Sequence, residues 1–139
     1  MEKIVPKTIL IVDDEQRFLT LLAEELRVCD KHFCILTAEN GDRALKVLES
    51  TPVDLVVTDL RMPVMDGYDL LSHMKKRYPG IPVIVMSAFF HSEVAARLRD
   101  LGVSQCIEKP LSVNALEEMI LLTLPLFPEG SGGVKGATT

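Results

Sequence analysis

The sequence has no long cluster of Lys and Arg, no apolar run of membrane-spanning length, no C-x-x-C pair and no internal repeat. Each absence closes off a class of function. A nucleic-acid backbone is gripped by concentrated positive charge, and a chain of formal net charge -5 at pH 7 offers none, so direct nucleic-acid binding is not expected. A bilayer requires ~20 consecutive apolar residues, and the opening MEKIVPKTILIVDDE carries too short an apolar run even for a secretory signal. The cysteines, Cys29, Cys34 and Cys106, are odd in number, which argues against a disulfide framework or a thiolate metal cage. In their apolar contexts they read as core thiols in a reducing compartment. The expected location is the cytoplasm, with no membrane attachment.

What is present fits one domain with a sizeable core: 139 residues, 47% apolar and 25% charged. Five short runs rich in strand formers recur at 8–12, 33–38, 55–58, 83–86 and 105–107. Helical periodicity fills the gaps. Leu19, Leu22 and Leu26 mark one helix; Ala44, Leu45 and Leu48 follow the Asn40-Gly41 turn; Leu70, Leu71 and Met74 mark a third. Ser92-Glu93 opens a fourth that Gly102 closes, and Ser112 caps a last one that Pro125 stops. Strict alternation with near-continuous apolar strands implies an α/β fold, a doubly wound parallel sheet with helices on both faces. In such sheets ligands bind beyond the carboxyl ends of the strands, where the winding reverses. The stretch 128–139, PEGSGGVKGATT, has little to bury and reads as a flexible tail or linker after a domain at 1–127.

At the expected strand ends stand Asp13-Asp14, Asp59, Ser87 and Lys109, the last followed by Pro110. Singly each has an ordinary explanation. An acid pair can face a helix N-terminus, an aspartate can cap a turn, a serine can satisfy a strand-end amide and a lysine can be a solvated charge. Together they describe chemistry. Three carboxylates in one crevice repel and raise one another's pKa unless a cation sits among them. Oxygen ligands of this kind suit Mg2+. With a lysine and a hydroxyl beside it, a carboxylate presented by a strand can attack phosphorus while cations neutralise the equatorial oxygens. In DLVVTDLRMPVMDG, residues 54–67, Asp59 holds that position.

The stretch ILIVDDE from Ile9, the run DLRMPVMDG from Asp59, the triplet Met86-Ser87-Ala88 and Glu108-Lys109-Pro110 resemble the receiver domain of two-component response regulators over about residues 7–127. The resemblance implies a flavodoxin-like, three-layer α/β/α fold whose five parallel strands run in the order 2-1-3-4-5. It implies Asp59 as phosphoacceptor and Mg2+ held by Asp14, Asp59 and the carbonyl of Arg61, with Asp13 acting mainly through a water. Ser87 and Lys109 would each contact a phosphoryl oxygen. The phosphoryl donor would be a sensor histidine kinase or a histidine phosphotransfer protein, and the output an attached domain or a protein target. Such a domain assists its own phosphorylation and dephosphorylation and is not a turnover enzyme. A haloacid-dehalogenase-like phosphatase would need a second aspartate where Arg61 stands, and a guanidinium cannot serve as that acid.

One departure from the family concerns signal output. Receivers carry a ring three residues before the lysine, where this chain has Cys106. A small thiol sweeps little volume, which shifts the expected conformational change to the segment 88–91, with its Phe89-Phe90 pair. Arg61 and Phe89 are expected to flank the path of a water attacking the phosphorylated site. In the last helix Leu116, Ile120 and Leu124 form a core stripe, while Met119, Leu121, Leu122, Leu126 and Phe127 add apolar surface. Those five either pack locally or make a protein contact such as a homodimer.

Overall fold

The computed structural model describes residues 5–124 except 63, 89 and 104. The aliphatic runs form β1 (Lys7–Val12), β2 (Phe33–Ala38), β3 (Leu55–Asp59), β4 (Val83–Ser87) and β5 (Gln105–Glu108), all parallel, in the order β2-β1-β3-β4-β5. The helices between them are α1 (Gln16–Cys29), α2 (Gly41–Ser50), α3 (Gly67–Arg77), α4 (Ser92–Asp100) and α5 (Val113–Thr123). This is the doubly wound arrangement expected. The winding reverses at β1, which has β2 on one side and β3 on the other. β3, β4 and β5 each run one residue past their expected ends, because parallel pairing continues through Asp59↔Met86 and Ser87↔Glu108 after the apolar run has stopped.

Alternation along the strands divides the core in two. Ile9, Ile11, Leu55, Val57, Ile84 and Met86 face α1 and α5, meeting Leu19, Leu22, Leu26, Leu116 and Ile120. Leu10, Val12 and Val56 face the other way, onto Ala44 and Leu48 of α2 and Leu70 and Met74 of α3. A third cluster joins Leu60, Leu71 and Val85 to Leu98 of α4 and Val103. Each large aliphatic side chain buried this way contributes ~1.5–3 kcal/mol, so the strand ends stand on a rigid base. Local chemistry fixes where helices begin: the side chains of Asn40, Asp66 and Ser112 accept from the backbone N–H of Arg43, Asp69 and Ala115 at 2.8, 2.9 and 3.0 Å. At the sheet edge, Arg27 Nη2 donates to the Ile35 carbonyl at 2.8 Å, covering part of a strand edge that would otherwise invite pairing.

One expectation is corrected and one alternative is decided in part. Cys29 and Cys34 are exposed and so are not core thiols, whereas Cys106 is half-buried against the third cluster. The reason is positional: Cys29 is the last residue of α1, and Cys34 lies on edge strand β2, where burial alternates between Phe33 and Ile35. In α5, Met119, Leu121 and Leu124 pack against the α1–α5 core, leaving Leu122 as the exposed apolar residue at 82%. Leu124 belongs to the expected core stripe, and of the five additional residues the local-packing alternative holds for Met119 and Leu121. Leu126, Phe127 and the expected tail at 128–139 lie outside the described residues. Among the described residues no helix is long and apolar enough to cross a membrane.

The loop between β3 and α3 holds one strained residue. Val64 has φ 70° with its side chain 86% exposed. A left-handed conformation costs an L-residue ~1–2 kcal/mol, and more is expected of a β-branched one. Asparagine tolerates that region without the extra chain entropy of glycine. Val64→Asn is therefore expected to stabilise the fold by ~1 kcal/mol, about 3–5 °C in Tm, since no buried contact is lost. Thermal unfolding checks this, and an unchanged or lower Tm refutes it.

Candidate functional site

The register of the sheet brings the site together. Val12 pairs with Thr58, so Asp13 and Asp59 emerge side by side at the carboxyl ends of β1 and β3. Asp59 pairs with Met86, which puts Ser87 one step further along β4, and Ser87 pairs with Glu108, just before Lys109. Lys109 N donates to the Ser87 carbonyl at 2.8 Å, and the Lys109-Pro110 peptide is cis. Long-range pairing thus converts residues scattered over the sequence into one crevice at the winding reversal.

Asp13 is fully buried, Asp59 half-buried and Asp14 exposed, and one carboxylate oxygen of each lies within 4.8 Å of the others. Lys109 Nζ donates to Asp13 Oδ2 at 2.7 Å and to Asp59 Oδ2 at 3.2 Å. The second oxygens are held by backbone: Glu15 N donates to Asp13 Oδ1 at 2.9 Å and Leu60 N to Asp59 Oδ1 at 2.8 Å. Both carboxylates are therefore fixed in orientation at both oxygens. Burial raises the Asp59 pKa above its ordinary value; Lys109 and the Leu60 N–H pull it down and Asp13 pushes it up, and the net direction is upward. Lys109 is also raised: burial alone would lower it, but the hydrogen bonds and charges of Asp13 and Asp59 outweigh burial. The ammonium gains more from the cluster than burial costs it, whereas for the Asp59 carboxylate the cost of burial prevails.

The loop beyond Asp59 is packed too tightly for larger residues. Gly67 N donates to the Leu60 carbonyl at 2.8 Å, and a Cβ at Gly67 would run into the Asp59 carbonyl and lie 2.7 Å from Leu60 Cα. Gly41, at the start of α2, donates to the Met65 carbonyl at 3.1 Å, and a Cβ there would come within 2.7 Å of Met65 Cγ. These two glycines clamp the loop from opposite ends.

A sequence profile described as the response regulator receiver domain matches residues 9–121. The chain belongs to the response regulator receiver domain family. Among curated relatives, the receiver is 38% identical over 115 residues to the transcriptional regulatory protein GlrR of Escherichia coli K12, covering 83% of this chain and 26% of that protein. It is 33% identical over 121 residues to the sensor histidine kinase RcsC of Salmonella typhi, covering 87% of this chain and 12% of that one. The chain thus spans about a quarter or less of these two relatives. A solved CheY-like receiver domain protein from Methanospirillum hungatei JF-1 superposes with a TM-score of 0.80 at 27% identity, covering 86% of this chain and 94% of that one. The receiver has their flavodoxin-like fold.

Of the residues singled out in the sequence, Asp13, Asp14, Asp59 and Lys109 converge directly. Ser87 is buried at the end of β4, and the side chain of Arg61 is exposed in the β3–α3 loop. Phe89 lies outside the described residues. Cys106 and Phe90 pack against the same cluster of Leu60, Leu71, Val85, Leu98 and Val103. One residue of the site escaped sequence reasoning: the ring of Phe18 lies against Lys109 Nζ, 4.7 Å from its centroid. The available signal was an aromatic residue in the first turn of α1, four positions before Leu22 and so on the flank of the buried Leu19–Leu22–Leu26 stripe.

The raised Asp59 pKa has a sign that can be worked through. An acid whose folded value exceeds its unfolded one destabilises the fold when ionised, fully above the folded value and not at all below the unfolded value. Asp59→Asn is therefore expected to stabilise the receiver at neutral pH in the absence of divalent cations. The advantage should shrink as pH falls through the raised Asp59 value. Urea unfolding of both proteins at neutral and acidic pH checks this; a variant less stable at neutral pH, or a gap that widens in acid, contradicts it.

Proposed function

We propose that this receiver accepts a phosphoryl group on Asp59, with Mg2+, from a phosphohistidine of a sensor histidine kinase or a histidine phosphotransfer protein. The phosphorylated state then controls an attached output domain or a separate protein target. The observation that carries the reading is the Lys109 ammonium joined to both Asp13 and Asp59, at 2.7 and 3.2 Å, on the rim where three carboxylates meet. An Asp59 oxygen forms a bond to phosphorus, the phosphorus–nitrogen bond breaks, and its electron pair remains on the imidazole nitrogen. Lys109 exchanges its Asp59 contact for a phosphoryl oxygen, and the Ser87 hydroxyl donates to another. Transfer is then mostly positioning and charge neutralisation.

The donor set supports the metal assignment, since all three groups are hard carboxylate oxygens close enough to share one ion. Asp14 and Asp59 would hold Mg2+ directly with the Arg61 carbonyl, and Asp13, already engaged by Lys109, would reach it through a water. When bound, the ion supplies Lewis-acid neutralisation of the phosphoryl oxygens. Hydrolysis of the acyl phosphate by water returns Asp59 to its starting state, so the domain assists both directions of its own modification without turning over an external substrate.

Output is read from the same neighbourhood. Ser87 follows Val85 by two residues, and Val85 belongs to the cluster on which Phe90 and Cys106 pack. Of the two, Phe90 is the large ring and Cys106 a small thiol that sweeps little volume, so a displacement of Ser87 toward a phosphoryl group would be read out through Phe90. The segment 88–91 is the proposed carrier of the change.

Intact-mass spectrometry with acetyl phosphate tests the assignment. One phosphoryl group should be gained in the presence of Mg2+, with none after chelation and none in Asp59→Asn. Lys109→Ala should keep the fold, slow the transfer and weaken the conformational response. Phosphorylation of Asp59→Asn at the native rate would remove Asp59 from the assigned role.

A further inference from the structure

We propose that Phe18 is a positioning residue for Lys109, the face of its ring holding the ammonium between Asp13 and Asp59 where a phosphoryl oxygen can be met. The inference rests on the reading of Lys109 as the phosphoryl partner. An ammonium has three N–H donors. For Lys109, Asp13 Oδ2 and Asp59 Oδ2 take two, and Nζ stands 4.7 Å from the Phe18 ring centroid. That is inside the ~6 Å range over which the negative face of a ring attracts a cation. The lysine side chain is only 19% exposed, so water competes weakly for the third donor.

Both the placement and the chemistry of the ring matter. Phe18 packs against the core formed by α1, α5 and the sheet, so its ring is anchored to the rigid part of the domain. Lysine has a flexible four-carbon stem, and its contact to Asp13 is shorter than that to Asp59. Unrestrained, the ammonium would settle on Asp13 and leave Asp59 uncompensated. A third carboxylate could restrain it but would repel an incoming phosphoryl group. A neutral ring attracts the cation and adds no charge, whereas an aliphatic side chain of similar volume fills the space without attraction.

The test replaces Phe18 by phenylalanines of increasing ring fluorination, which keep the shape while draining the negative face, alongside Phe18→Tyr, Phe18→Leu and Lys109→Ala. Two quantities are read: the initial rate of phosphorylation by acetyl phosphate with Mg2+, and the Mg2+-free NMR shift of the Lys109 ε-methylene protons. In the native protein and Phe18→Tyr, ring current should displace these protons upfield; in Phe18→Leu they should return to ordinary positions. The rate should fall stepwise with fluorination, reach a loss of about fivefold, or ~1 kcal/mol, in Phe18→Leu, and be retained by Phe18→Tyr. An undisplaced ε-methylene signal in the native protein, or one rate across the fluorinated series, overturns the proposal. If Lys109→Ala slows transfer while the series is flat, only the role of Phe18 falls. If Lys109→Ala matches the native rate, the reading of Lys109 falls and takes this inference with it. The fluorinated chains keep the packing, so poor folding of Phe18→Leu would leave the series decisive.

Discussion

The pairing of one ammonium with two neighbouring carboxylates is the constraint around which the strand ends are arranged. Lys109 reaches Asp13 and Asp59 together only because β1 and β3 are in register at Val12 and Thr58. It approaches from β5, two strands beyond β3, through the pairing of Ser87 with Glu108. A one-residue slip in any of these ladders would turn a site residue to the other face of the sheet. The apolar residues on both faces make such a slip costly, since it would expose the alternating core positions of both clusters. The stability of the core and the placement of the charges are therefore one requirement.

The backbone on the far side of Asp59 meets a different requirement. It must leave the sheet, turn past the crevice and start α3 within a few residues. Gly67 is pressed onto the Asp59 carbonyl, Gly41 onto Met65, and Val64 adopts a left-handed conformation. Strain at a single exposed residue costs ~1–2 kcal/mol, small beside the burial energy of the core, and so the loop can be held in a form that a free chain would avoid.

Much of this was legible in the sequence, for reasons that differ by residue. Strand and helix positions follow from hydrophobic period, and Asn40 and Ser112 announce their caps by residue type. Asp13, Asp14, Asp59 and Lys109 were visible because polar residues at the ends of apolar runs have few places to go in a parallel sheet. Cys29 and Cys34 misled because an apolar neighbourhood along the chain does not specify which face of an edge strand or helix end a side chain takes. The last helix was ambiguous for a related reason: near-continuous apolar residues contain more than one stripe, and only contact with α1 decides which is inward. Phe18 carried no polar signal at all. Its part depends on Lys109 arriving from the far end of the chain, a relation that no local pattern expresses.

Charge counting shows why the lysine does not complete the crevice by itself. With all groups ionised, the three carboxylates outnumber the single ammonium by two charges. The raised pKa of Asp59 comes first from burial, which outweighs the attraction of Lys109, with Asp13 adding to the rise. A second lysine would remedy the imbalance by pairing off the carboxylates, and it would also shield the Asp59 oxygen proposed to attack phosphorus. The arrangement instead leaves Asp14 exposed to solvent and outside the ion pairs of Lys109, and keeps the one ammonium against a neutral ring. Such a site is stable enough to fold and still short of positive charge. That shortfall fits the divalent cation of the proposed function.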